Sequence, residues 1–167
     1  MDIHQEIVAE FDREVAKTRK IFEAIPADAD LAYKPHPKSM SLGRLAGHTA
    51  ETAGLWASST LNLDKMEFPL EHKFEPYIPA DKAALLGQFD KEVAEVKTAL
   101  AGFAVEKWDD NWKFVAGGQV WIDESKYLVF RNWVLDHMIH HRAQLGVYLR
   151  LLDAPLPGTY GPSADGM

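Results

Sequence analysis

Apolar residues recur at helical spacing in four long stretches of this chain, and no other feature constrains the fold as much. In the first, residues 2–25, Ile7, Phe11, Val15, Phe22 and Ile25 follow at spacings of four, four, seven and three, which lines them along one helix face. Pro26 ends that stretch. A second helix is expected at about 41–61, with Ser39 or Ser41 as its N-cap. A third, at about 80–103, carries the stripe Leu85, Phe89, Val93, Val96, Leu100 and Phe103. The fourth, at about 125–152, reads WVLDHMIHHRAQLGVYLRLL from Trp133, with no proline or glycine before Gly146.

The segments between them are of different kinds. PADADLAYKPHPKSM, after the first helix, is a loop held extended around Pro35 and Pro37. Residues 63–78 are rich in Pro, Phe, Glu and Lys without a period, and read as a long excursion lying over the bundle. WKFVAGGQVWI sets Gly117-Gly118 between two short runs of β-branched and aromatic residues, the pattern of a small hairpin. The tail, residues 153–167, is rich in Pro and Gly and expected to be irregular. The resulting expectation is one all-α domain spanning 1–167, a four-helix bundle with a small β-hairpin before the last helix.

Charge and composition then exclude several functions. The net charge is −7 and the 18 basic residues are scattered, which argues against nucleic acid as a partner. No apolar run is long enough to span a bilayer, and no leader pattern opens the chain, so no membrane partner and a cytoplasmic location are expected. Cysteine is absent. A bound metal must therefore rely on imidazole, carboxylate and water, and thiol chemistry would need a thiol from outside.

The fourth stretch carries the candidate chemistry. With His137 at zero on a wheel of about 100° per residue, Phe130, Val134, His141, Leu145, Tyr148 and Leu152 fall on its side. Two imidazoles thus sit where leucines would pack. Histidines at i and i+4 on one face can share a metal ion, and each buried ring needs a polar partner in any case. Among the others, His4 in the first turn and His72 in the excursion read as solvated, and His36 lies between two prolines. His48 shares its helix face with Leu45, Thr52, Leu55, Trp56 and Ser59, a stripe polar enough to line a cavity. It can face the His137/His141 side or sit at the helix edge. His140, about 60° from His137, is assigned to the pocket edge, to a hydrogen bond behind the ligands, or to plain partial burial. Glu51, one turn after His48, either orients that imidazole, holds a metal-bound water, or is a solvated carboxylate.

Three segments carry a resemblance: PHPKSMSLGRLAGHTAE, HMIHHRAQLGVYLR and APLPGTYGPSAD. With the helix order, they make the chain resemble the DinB/YfiT-like family of metal-binding four-helix bundles over essentially its whole length. The resemblance implies His48, His137 and His141 as three ligands of one divalent ion, zinc or nickel, with water completing the shell. It also implies an up-down-down-up bundle and a homodimer.

A three-histidine ion with an open position suits three readings. In the first, some relatives are thiol transferases, and the ion presents a low-molecular-weight thiol as thiolate to an electrophilic small-molecule substrate. In the second, it activates water for hydrolysis, with Glu51 or His140 as catalytic base. In the third, the protein is a non-catalytic, stress-related metal binder. Residues 137–141 read His-Met-Ile-His-His, so no HExxH base is present. GPSAD is not a nucleophile elbow, and Val134 and Leu45 stand where an ExxH pattern would need glutamate. Asp136 points away from the pair, whereas Tyr160 and Asp165 in the tail could fold over it. Trp56, Trp133 and Tyr148 are candidate pocket residues, with core packing expected for Trp133. Trp108, Trp112 and Trp121 are expected to pack the hairpin or to form a dimer contact.

Overall fold

A computed structural model describes residues 2–71 and 75–166; His72 lies outside the described residues. The first helix, α1 (Ile3–Glu23), begins where the Asp2 carboxylate accepts from the N–H groups of His4 at 3.0 Å and Gln5 at 3.3 Å, satisfying donors the helix cannot. It stops at Glu23 because the chain tightens there, Ile25 N–H bonding to Phe22 O ahead of Pro26. Ser41, not Ser39, caps α2 (Leu42–Glu51) by accepting from Arg44 N–H. Asp81 caps α4 (Lys82–Ala101) in the same way through Ala84 N–H at 2.7 Å.

Two of the four expected helices are not regular. The second consists of α2, a π-helical stretch Thr52–Trp56, and α3 (Ala57–Asn62). The fourth consists of α5 (Lys126–Val129), capped by Ser125, a π-helical stretch Phe130–Asp136, and α6 (His137–Leu151). A π turn advances less than 100° per residue, so a regular wheel loses phase across it. Leu55, placed by the wheel on the His48 face, is 40% exposed for this reason.

The hairpin forms as expected from β2 (Asn111–Ala116) and β3 (Gln119–Ser125), paired antiparallel. Gly117 and Gly118 turn it with φ of 59° and 77°, values that glycine adopts without strain. The excursion is not wholly irregular, however. Residues Lys65–Phe68 form β1, which pairs parallel with β2 to give a three-stranded sheet in the order β1-β2-β3. Four residues with one buried side chain, Met66, carry too little periodicity to announce a strand. Met66, Trp112, Ile122 and Val129 make a small core beneath this sheet.

The main core is one contiguous cluster in which Phe11, Phe22, Phe89 and Phe130 are fully buried. Each such ring contributes roughly 1.5–3 kcal/mol relative to exposure. Within the bundle α1 packs on α4 and α6, while α2 packs on α6 and α4. α2 and α6 are thereby direct neighbours, and their facing sides bring the candidate histidines together.

Candidate metal centre

His48 leaves α2 towards α6, and His137 and His141 leave the first turns of α6 towards α2. One potential ligand atom from each lies within 4.8 Å of the others. The ring centroids are 5.0 Å apart for His48–His137, 4.5 Å for His48–His141 and 4.6 Å for His137–His141. Each residue is at least half-buried and His141 is fully so.

Two of the three rings are oriented from behind by a side chain. His48 Nδ1 lies 3.2 Å from Glu51 Oε2 and 3.3 Å from an Arg44 guanidinium nitrogen. Arg44 itself pairs with Glu51 at 2.9 Å. Burial pushes the Glu51 carboxyl up, but bonds from His48 and the Tyr77 N–H, with Arg44 beside it, hold it below its usual value. An ionised Glu51 can only accept, so the Nδ1 proton belongs between His48 and Glu51, and the His48 Nε2 lone pair is free. His141 Nδ1 is 2.7 Å from Gln144 Oε1, which fixes the same tautomer. His137 Nδ1 is buried with no hydrogen-bond partner; the Trp133 backbone lies near the ring without offering a bond of good geometry.

Burial, reinforced by the neighbouring rings, lowers both His137 and His141 to about 4. Three imidazoles crowded together, at least two of them neutral and carrying lone pairs, are a poor hydrophobic contact and a good donor set for a borderline divalent ion. The residues present therefore fit a metal.

Glu51 is reached by a strap. Its Oε1 accepts the Tyr77 N–H at 2.7 Å, and Arg44 approaches the Tyr77 carbonyl. This close passage depends on Gly47. A Cβ there would lie 2.1 Å from Tyr77 O, so only glycine lets the 75–79 segment press on α2 beside His48. On the far side, Arg142 follows His141 and anchors α6 to α1 through a buried ion pair with Glu14 at 2.6 Å.

Several expectations need correction. Glu51 is not solvated but 8% exposed, turned onto His48 and Arg44. His140 is neither partly buried nor hydrogen-bonded behind the ligands among the described residues; it is exposed at the edge of the cleft beside His137, its ring 4.9 Å from that of His141. His4 is half-buried and accepts from Trp108 Nε1 at 3.3 Å, because α1 begins against the Val105–Asp109 turn. Trp133 is not a core residue. It is 36% exposed, stacks on Trp56 with centroids 6.0 Å apart, and lines an open cleft with His137 and His140. Tyr148 does border a hollow, of about 370 Å³, with Gln144 and Leu45. Trp108 and Trp112 are buried, but Trp121 is 63% exposed. The tail does not supply a ligand: Tyr160 bonds Arg142 and Glu14, and Asp165 bonds Arg150 and Leu156 N–H.

Sequence reasoning missed Arg44, Gln144 and Tyr77. Arg44 and Gln144 lie four residues before His48 and three after His141, helix spacings that could have been read. Tyr77 lies 26 residues from Glu51, and only the fold brings them together.

A helical bundle in which three such imidazoles converge belongs to the class of proteins able to hold one divalent ion between facing helices. The chain belongs to the DinB family, whose profile matches residues 1–167. Two crystal structures of DinB-like proteins share the fold. One, from Bacillus cereus, is 19% identical with a TM-score of 0.71, over 93% of this chain and 97% of that one. The other, YjoA from Bacillus subtilis, is 22% identical with a TM-score of 0.69, over 92% of this chain and 97% of that one. No curated protein matches the chain.

Proposed function

We propose that this protein is a metal-dependent enzyme that transfers a low-molecular-weight thiol to an electrophilic small molecule, with His48, His137 and His141 holding one zinc or nickel ion. The convergence of three ligand atoms within 4.8 Å carries the reading. A divalent ion bound there supplies Lewis acidity that favours thiolate over thiol at neutral pH. Everything else is the work of the chain. Glu51, held by Arg44 and Tyr77 N–H, keeps the His48 proton on Nδ1 and its lone pair inward, and Gln144 does the same for His141. Among the described residues the cluster offers three ligand side chains and no carboxylate, which supports an open position for thiol or water instead of a closed structural site. Trp133 and His140 border the cleft that opens beside His137 and give the electrophile a wall.

Hydrolysis is the second reading, with His140 at the cleft as the observation in its favour. Glu51 is a poor base for it, since both its oxygens are engaged by Arg44, His48 and Tyr77. Three further expectations belong to the same proposal: a homodimer, a cytoplasmic location and an up-down-down-up bundle. The last is supported by the opposed order of Asp12–Lys97 and Arg19–Asp90 between α1 and α4. The order is concordant for Glu10–Arg131 and Glu14–Arg142 between α1 and the last helical run.

Elemental analysis of untagged protein tests the centre. About one zinc or nickel per chain is expected, lost in His48→Ala, His137→Ala and His141→Ala while circular dichroism stays helical. Metal-loaded protein should then consume glutathione in the presence of an aryl halide, and the variants should not. A wild type that takes up no zinc or nickel would remove the proposal; metal without thiol turnover would remove thiol transfer.

A further inference from the structure

The cleft beside His137 has a volume of about 410 Å³ and is bordered by Glu124, Asn132, Trp133, Asp136, His137 and His140. Glu124 comes from β3, opposite Trp112 in the ladder, so its side chain rises from the sheet face that covers the bundle. One of its carboxylate oxygens is buried without a hydrogen-bond partner. Among the described residues the Glu124 side chain has neither a hydrogen bond nor an ion pair, whereas Asp136 has Arg131 at 3.8 Å. A half-buried carboxylate with unused acceptors is costly to leave alone. It stands beside a half-open indole, and a carboxylate paired with an aromatic wall is the chemistry that recognises a flat or compact cation.

We propose that this cleft binds a substrate bearing an amidine, guanidine or amine, whose positive nitrogen pairs with Glu124 while its carbon frame lies against Trp133. The inference rests on the reading of the cleft as the substrate side of the three-histidine centre. It adds a charge requirement: the electrophile carries a cationic arm, and neutral or acidic molecules of the same shape bind less well. Glu124 is a binding residue here: it lies outside the three-histidine group, and its side chain is hydrogen-bonded to none of those histidines or their supports.

Benzamidinium, benzamide and benzoate have nearly one shape and three charges. Each is titrated, by tryptophan fluorescence, into zinc-loaded and metal-free wild type and into Glu124→Gln, with metal content measured in parallel. Benzamidinium is expected to bind about tenfold more tightly than benzamide, and benzoate most weakly. Glu124→Gln should erase the difference with metal content unchanged, and Trp133→Leu should weaken benzamidinium binding. Equal binding of the three probes, no binding at all, or a preference that survives Glu124→Gln would overturn the proposal. The comparison in metal-free protein separates the two readings. A preference for benzamidinium there, in a protein that fails to load metal, keeps the cation cleft and discards the metal centre; loaded metal without that preference does the reverse.

Discussion

At the scale of single residues, the centre depends on side chains outside its three histidines. Glu51 is the clearest. It orients His48 from behind, and a carboxylate in that place raises the basicity of the imidazole and fixes its tautomer. Glu51→Gln keeps the shape but can no longer match the charge of Arg44, and the amide presents a donor as readily as an acceptor to His48. The variant is expected to stay folded and to bind zinc about 10–100-fold more weakly, as measured by competition with a chromogenic chelator. An unchanged affinity would mean that Glu51 merely neutralises Arg44. The sequence exposed part of this arrangement, because Arg44, His48 and Glu51 are spaced to share one helix face. It could not show which of the three roles open to Glu51 is taken, since that depends on the Tyr77 N–H arriving from 26 residues away.

At the scale of elements, the two π-helical stretches and the Tyr77 strap are what a helical wheel cannot see. Thr52–Trp56 lies just after His48 and Phe130–Asp136 just before His137, and the two stretches pack on one another with Trp56 stacked on Trp133. Wider turns of this kind cluster at functional sites because they re-aim the residues that follow. Here they stack Trp56 beneath Trp133, which borders the cleft. The strap makes a sharper test through Gly47. On propensity alone, Gly47→Ala should stabilise α2 by about 1 kcal/mol. The 2.1 Å approach of Tyr77 O reverses the sign, since the strap must lift and release Glu51. Destabilisation of about 1–3 kcal/mol is expected in chemical denaturation, together with weaker zinc binding. A stabilised variant would contradict the packing described here.

At the scale of the whole molecule, burying the histidines links folding to protons. His137 and His141 titrate at about 4 in the folded protein, against an ordinary value of 6.5. Below pH 6.5 the unfolded chain takes up protons that the native state refuses, so metal-free protein loses stability as pH falls from about 6.5 towards 4. Above about pH 7 these two residues add no slope. The thermal midpoint of metal-free wild type should therefore decline between pH 6.5 and 5, a window above the ordinary range of carboxylates, and the decline should flatten in a His137→Gln/His141→Gln variant. Equal slopes in the two proteins would show that the rings are not buried neutral.

The sequence by itself determined the extent of the four helical runs, a cap for the second at Ser39 or Ser41, and the Gly117-Gly118 hairpin, because caps, periodicity and turn glycines act over a few residues. It also singled out His137 and His141, since imidazoles on an apolar face are conspicuous against a leucine background, and left His48 between the cavity and the helix edge until the family resemblance joined it to them. Tertiary structure decided the rest. The third strand formed because β2 offered an edge to a segment too short to declare itself. Trp133 became a cleft wall because a π turn rotated it outward, and Glu124 reached the cleft because the sheet lies over the bundle. These outcomes arise from contacts between elements distant in the chain, which local pattern does not encode.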